Sequence, residues 1–149
     1  YLIFLSGIVF AYLLDSLGFM FSFQTPIFLS FQRFYINPPK NCFLEMKNWT
    51  YKINNETQLI DLPKLDQPSN SKAHYYKTIN LNDSISKIYV SFVDDYTELF
   101  IDKKYIASHS NTLKPAEISI ILTKGSHDLE FKVENIENVG GIGQVMLCK

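Results

Sequence analysis

Two patterns of apolar and polar residues divide this 149-residue chain. From Cys42 to the end, apolar and polar positions alternate with a period of two. Ile88, Val90 and Phe92 alternate with Tyr89, Ser91 and Val93, and the same spacing links Ile118, Ile120 and Leu122, and then Leu129, Phe131 and Val133. Such alternation turns one face of a strand toward a core and the other toward water. It predicts strands over residues 49–53, 74–81, 86–93, 97–101, 104–108, 117–122, 127–134 and 143–148. Turn chemistry separates them at Asp94-Asp95, Asp102-Lys103-Lys104 and Lys124-Gly125-Ser126. Residues 54–72 contain Pro63, Pro68 and several Asn and Ser, and read as a long surface loop around a possible short strand. Many short strands without an amphipathic helix between them predict a mainly β fold, an antiparallel β-sandwich of jelly-roll type.

Residues 1–31 follow the other pattern, with Asp15 as their one charged side chain. A bilayer core of about 30 Å is crossed by roughly 20 apolar residues in a helix, and this stretch is long enough. The expected organisation is therefore an apolar α-helix over 1–36, a linker over 37–47 and the sandwich over 48–149. Pro26 would kink the helix, because it removes a hydrogen bond and crowds the preceding turn, and Asn37-Pro38-Pro39 would end it. A cleavable signal peptide fits less well, since no basic segment opens the chain and no small-residue cleavage site follows the apolar run. The opening tyrosine implies an upstream piece, either removed or outside this chain. A charge in an apolar helix is costly in lipid, so Asp15 is expected to contact protein.

Charge and cysteines refine this picture. A formal net charge of −1 without a basic stripe argues against a nucleic-acid partner. Cys42 opens the β region and Cys148 nearly closes the chain. If the first and last strands pair, the two would lie side by side, and a bridge is favoured over two buried thiols. In the chain-entropy model a disulfide closing a loop of that size contributes about 4–5 kcal/mol. Three sequons, at Asn48, Asn55 and Asn82, agree with an exported domain.

The stretch VSFVDDYTELFIDKKYIAS, followed by ILTKGSHDLEFKVENIENVGGIGQVML, resembles PA14-type domains and the wider galactose-binding-like sandwiches. In sugar-binding members of that family, two adjacent aspartates joined by a cis peptide hold a calcium ion that grips sugar hydroxyls. Carried onto this chain, the resemblance implies Asp94 and Asp95 as calcium ligands, with Tyr96, Asn135 and Asn138 in ligand contact. Calcium takes six to eight oxygens, for which paired carboxylates are a suitable nucleus. Two departures weaken the match: Tyr96 follows the pair in place of glycine, and Lys103-Lys104 replaces the turn glycine of the family's IDGK. Read without the resemblance, Asp94-Asp95 form a turn bonded to local amides. The Gly140-Gly141-Ile142-Gly143 run lacks the following helix a phosphate loop needs, and reads as a tight or bulged turn into the last strand.

No residues signal catalysis. His74, His109 and His127 are isolated in sequence, without HxH, HExxH or a Gly-x-Ser-x-Gly elbow. Trp49, Tyr75, Tyr76 and Tyr96 are candidates for stacking on sugars, although such rings more often pack cores. The expected protein is a non-enzymatic sandwich without a certain cofactor, anchored in a membrane or outside the cell. Its expected partners are a membrane or neighbouring subunits through residues 1–36, in a homo-oligomer or larger complex. Alternatives are a calcium-dependent carbohydrate-binding module and a filament subunit. The latter layout resembles type IV pilin-like proteins, but with Leu5 where those carry glutamate.

Overall fold

The computed structural model describes residues 40–110 and 114–149. The apolar helix, its kink at Pro26 and the contact of Asp15 fall outside the described residues. The described residues form strands and turns, and none of them lies in a helix.

The strands are β1 (Cys42–Leu44), β2 (Trp49–Ile53), β3 (Glu56–Ile60), β4 (Lys64–Gln67), β5 (Ser71–Leu81), β6 (Ile85–Val90), β7 (Tyr96–Ile101), β8 (Lys104–His109), β9 (Ala116–Leu122), β10 (Gly125–Asn135), β11 (Gly140–Ile142) and β12 (Val145–Cys148). They form a six-stranded sheet in the order β3-β2-β5-β10-β7-β8 and a four-stranded sheet in the order β1-β12-β6-β9. A two-stranded ribbon pairs β11 with β4. Every strand pair is antiparallel.

Period-two alternation decides which side chains enter the core. Ala73, Tyr75, Ile79 and Leu81 of β5 face inward beside Leu129, Phe131 and Val133 of β10 and Leu99 and Ile101 of β7. The four-stranded sheet opposes them with Ile85, Ile88 and Val90 of β6, Ala116, Ile118 and Leu122 of β9, and Val145 and Leu147 of β12. Burying the apolar side of both sheets in one core makes this a β-sandwich. Trp49 and Tyr75, weighed above as sugar platforms, are 0 % exposed. Their rings pack on Phe131 and Tyr51, with centroids 5.9 and 5.0 Å apart.

Three segments depart from the sequence expectation. Residues 54–72 carry β3 and β4 and the start of β5 rather than one loop. β3 reads poorly because four of its five residues are exposed on an edge strand, and edge strands need no apolar face. β1 lies inside the expected linker and pairs with β12 in a register that sets Cys42 opposite Cys148. The two sulfurs are bonded, which joins chain positions 106 residues apart. The alternation of 86–93 also breaks: β6 ends at Val90, and Val93 is buried while Phe92 is half-buried.

Candidate functional site

The Asp94-Asp95 and Gly140–Gly143 segments, far apart in sequence, meet at one end of the sandwich. Ser91 N donates to Gln144 O at 2.9 Å, Gly143 N to Phe92 O at 2.8 Å and Asp94 N to Gly141 O at 3.0 Å. Val93 bridges to Ile142 between them. Gly140 and Ile142 also pair with Gln67 and Lys64 of β4, with a register irregularity between the two pairs. The glycine run is thus a short, irregular strand gripped from two sides, where the sequence implied a tight or bulged turn.

Close approach explains the glycines. A Cβ on Gly140 would stand 1.3 Å from Asp94 Oδ2, and one on Gly143 would stand 2.4 Å from Ser91 Oγ. Gly141 has φ +142°, and its Cβ would lie 1.9 Å from the Lys64 carbonyl oxygen. Only a residue without a side chain fits against backbone that near.

The two aspartates do different work. Asp95 Oδ2 accepts from Ile136 N at 2.6 Å and more weakly from Glu137 N at 3.3 Å, which pins the start of the β10–β11 connection. Asp94 turns inward, where its Oδ2 is buried without a hydrogen-bond partner. Burial, and after it the neighbouring Asp95 charge, pushes the Asp94 carboxyl above the usual range, opposed by a hydrogen bond from the Asp95 amide. The peptide between them is trans, since the one cis bond among the described residues is Leu62–Pro63. In that respect the pair departs from the family pattern.

Asn135 and Asn138 belong to the same end, while Tyr96 does not face it. Asn135, 0 % exposed, donates through Nδ2 to Gln67 O, Pro68 O and Asn138 O, at 2.8, 3.0 and 3.1 Å. Its Oδ1 is the second buried oxygen without a partner. Asn138 is exposed at φ +63° and contributes its carbonyl. Tyr96 pairs in register with Glu134, and its hydroxyl donates to Glu98 Oε1 at 3.2 Å on the outward face of the six-stranded sheet. Sequence reasoning missed Gln67, and offered Tyr75 as a sugar-stacking ring rather than as the buried hydroxyl donor it is. Gln67 is 0 % exposed; its Nε2 donates to Val133 O at 3.1 Å and its Oε1 accepts from Tyr75 Oη at 3.0 Å. A glutamine in a stretch read as loop carried no sign of burial.

Calcium can be tested against these donors. A cage of six to eight oxygens is needed, yet the Asp95 oxygen is bonded to two amides, and three nearby carbonyls receive the Asn135 amide. Asp94 Oδ2 and Asn135 Oδ1 remain as acceptors. No group of three or more His, Cys, Asp or Glu side chains placed to hold a metal occurs among the described residues.

A second surface is the outward face of the six-stranded sheet. Register aligns Thr50, Tyr76, Glu130, Phe100 and Tyr105 across five strands, and Lys52, His74, Lys132 and Glu98 in the next row. His74 and Tyr76 stack at 5.7 Å and 14°. His74 Nδ1 lies 2.7 Å from Glu130 Oε1 and 3.1 Å from Tyr76 Oη. A ring nitrogen that donates to Glu130 cannot also accept, so the Tyr76 hydroxyl turns to the same carboxylate. Burial, then the Glu130 charge, raises the Tyr76 hydroxyl pKa. Lys132 Nζ sits 4.0 Å from the centre of the Phe100 ring. Depressions of about 520, 360 and 500 Å³ adjoin along this face.

The three sequon asparagines, Asn48, Asn55 and Asn82, are all exposed in connections between strands.

No family model matches the chain, and no curated protein matches it in sequence. Its fold does match solved structures. A glycosyl hydrolase family 2 member from Bacteroides cellulosilyticus aligns with a TM-score of 0.61 at 11 % identity, over 72 % of this chain and 20 % of that one. A GH2 β-galacturonidase from Eisenbergiella tayi bound to glycerol gives 0.60 at 17 % identity, over 76 % and 25 %. A β-glucuronidase from Ruminococcus gnavus in complex with D-glucuronic acid gives 0.57 at 8 %, over 78 % and 31 %. The chain therefore spans between a fifth and a third of the length of these proteins. Identities this low establish a shared β-sandwich fold and nothing of activity.

Proposed function

We propose that this chain is a non-catalytic β-sandwich, held by its apolar residues 1–36, that serves as a structural or interaction subunit of a membrane or extracellular assembly. The observation that carries this reading is the use made of the polar groups at the Asp94–Gly140 junction. Asp95, Asn135, Gln67 and Tyr75 are engaged in bonds that hold β4, β5, β7, β10 and β11 together. Such bonds build a rigid module and leave no nucleophile–base pair there. The fold also matches as a minor part of much longer chains, in keeping with a module that works beside other parts. On the finer level, we read the sandwich as a galactose-binding-like jelly roll of PA14 type.

The test is the state of the full-length chain in its native fraction. Light scattering after detergent extraction should report an assembly larger than one chain, and electron microscopy of that material separates a filament from a discrete complex. A monomer recovered in buffer without detergent would overturn the anchored reading. Release of sugar from glycoside substrates by the purified chain would overturn the non-catalytic one.

A second reading, calcium-dependent sugar binding, is favoured by the two unpartnered oxygens Asp94 Oδ2 and Asn135 Oδ1. Calcium titration by calorimetry should then give heat that Asp94→Asn abolishes. Silence in both proteins removes this reading.

A further inference from the structure

Asn48 occupies a particular place on the molecule. With Thr50, Tyr76, Thr78, Asp128 and Glu130 it lines the depression of about 520 Å³ on the outward face of the six-stranded sheet. Its backbone is fixed, because its N–H donates to Asp61 Oδ1 at 2.9 Å. Its side chain is exposed, and the amide makes no hydrogen bond among the described residues. Asn48-Trp49-Thr50 is a glycosylation acceptor sequence, so an acceptor nitrogen stands in the wall of the trough. The Cys42–Cys148 bridge belongs to an oxidising compartment, where such sequences meet the glycosylation machinery.

The trough has a chemistry suited to sugar. Its lining carries Asp128, which accepts from Thr78 Oγ1 at 2.7 Å, Glu130, which lies 2.7 Å from His74 Nδ1, and the ammonium groups of Lys77 and Lys103. An uncharged polyhydroxyl chain adds hydrogen bonds to these donors and acceptors and leaves the existing ones in place. The stacked His74 and Tyr76 rings offer a flat apolar surface for the C–H face of a sugar.

We propose that this face is covered by an N-linked glycan carried on Asn48 of the same chain, whose first residues pack on Tyr76 and His74. In its attachment the Asn48 Nδ2–C1 bond forms as the C1–O bond to a lipid pyrophosphate carrier breaks, and the amide proton leaves with the carrier. Tethering keeps the local sugar concentration in the millimolar range, so weak stacking suffices to hold the glycan down. The proposal rests on the reading that the sandwich lies outside the cytoplasm.

The experiment uses the full chain produced in secreting eukaryotic cells. Glycopeptide mass spectrometry reads occupancy at Asn48, Asn55 and Asn82, and hydroxyl-radical footprinting reads the accessibility of Tyr76. Tyr89, on the four-stranded sheet, serves as the internal control. Asn48 should be occupied, and Thr50→Ala, which destroys the acceptor sequence, should raise Tyr76 labelling several-fold without moving Tyr89. Thr50→Ser, which preserves the sequence, should behave as the parent does. Occupied Asn48 with unchanged Tyr76 labelling in Thr50→Ala would overturn the proposal. So would a bare Asn48 beside an occupied Asn55 or Asn82, and in that case export itself stands. Three bare sites would remove the proposal together with the export reading.

Discussion

The Asp94 carboxylate occupies the space that a side chain at residue 140 would fill: its Oδ2 lies 1.3 Å from where a Gly140 Cβ would be, and its Cγ 2.2 Å away. Each residue makes the other's position possible. This contact links the β6–β7 connection to the start of β11, and it explains why an aspartate pair and a glycine run, so far apart in sequence, belong to one structural element.

Gly140→Ala should therefore destabilise the sandwich by about 1–3 kcal/mol through overpacking, read by urea unfolding. Asp94→Ala should recover part of that loss, because it removes the side chain in conflict. Gly141→Ala should cost more and should not be rescued, since its new Cβ meets the Lys64 backbone carbonyl and its φ is +142°. Equal effects at both glycines would contradict this account.

Lys103 tests the hairpin between β7 and β8. Asp102 and Lys103 form a two-residue turn with φ +50° and +66°, the type I′ geometry that favours glycine in its second position. Lys103→Gly should stabilise the protein by up to about 1 kcal/mol, because relief of left-handed strain exceeds the added chain entropy of the unfolded state. The expected observation is a higher denaturant midpoint at constant slope.

Reducing or removing the Cys42–Cys148 bridge should cost about 2–5 kcal/mol, as expected when a long loop is opened in a small domain. Thermal melts with and without reductant measure it, and the paired Cys42→Ser/Cys148→Ser variant should match the reduced parent.

A pH effect is expected at the turn beside β10. His127 Nδ1 lies 2.9 Å from Asp102 Oδ2 and Nε2 lies 3.0 Å from the Thr123 carbonyl. Two oxygen acceptors favour the doubly protonated ring, so the Asp102 hydrogen bond, and then that of Thr123, raises the His127 pKa above its usual 6.5. The His127 hydrogen bond, and then the Asp128 amide, lowers Asp102 below its usual 3.8. The histidine contribution is complete below 6.5 and is lost as pH rises through the raised value. The aspartate contribution is complete above 3.8 and is lost as pH falls through the lowered value. Melting temperature should thus be highest between these limits, and His127→Gln should remove the decline on the alkaline side.

Much of the fold is legible in the alternation of residues. Ile118 and Leu122, or Leu129, Phe131 and Val133, announce strands because burial of one face and solvation of the other impose a period of two. β3, β4 and β11 are not legible, because an exposed edge strand or a glycine strand has no apolar face to display. At the candidate site, Asp94, Asp95 and the glycines are conspicuous as unusual residues, but Gln67 is not. Its burial depends on where β4 comes to lie against β11.

By itself, the sequence determined the β class and displayed the sequons and the two cysteines, because periodicity and turn chemistry are local properties, whereas the pairing of β1 with β12 emerged only in the fold. Only the tertiary structure decided that Asp95 holds backbone amides while Asp94 turns inward, and that Asn48 borders the outward sheet face. Those assignments depend on distances between strands remote in sequence, which no local pattern contains.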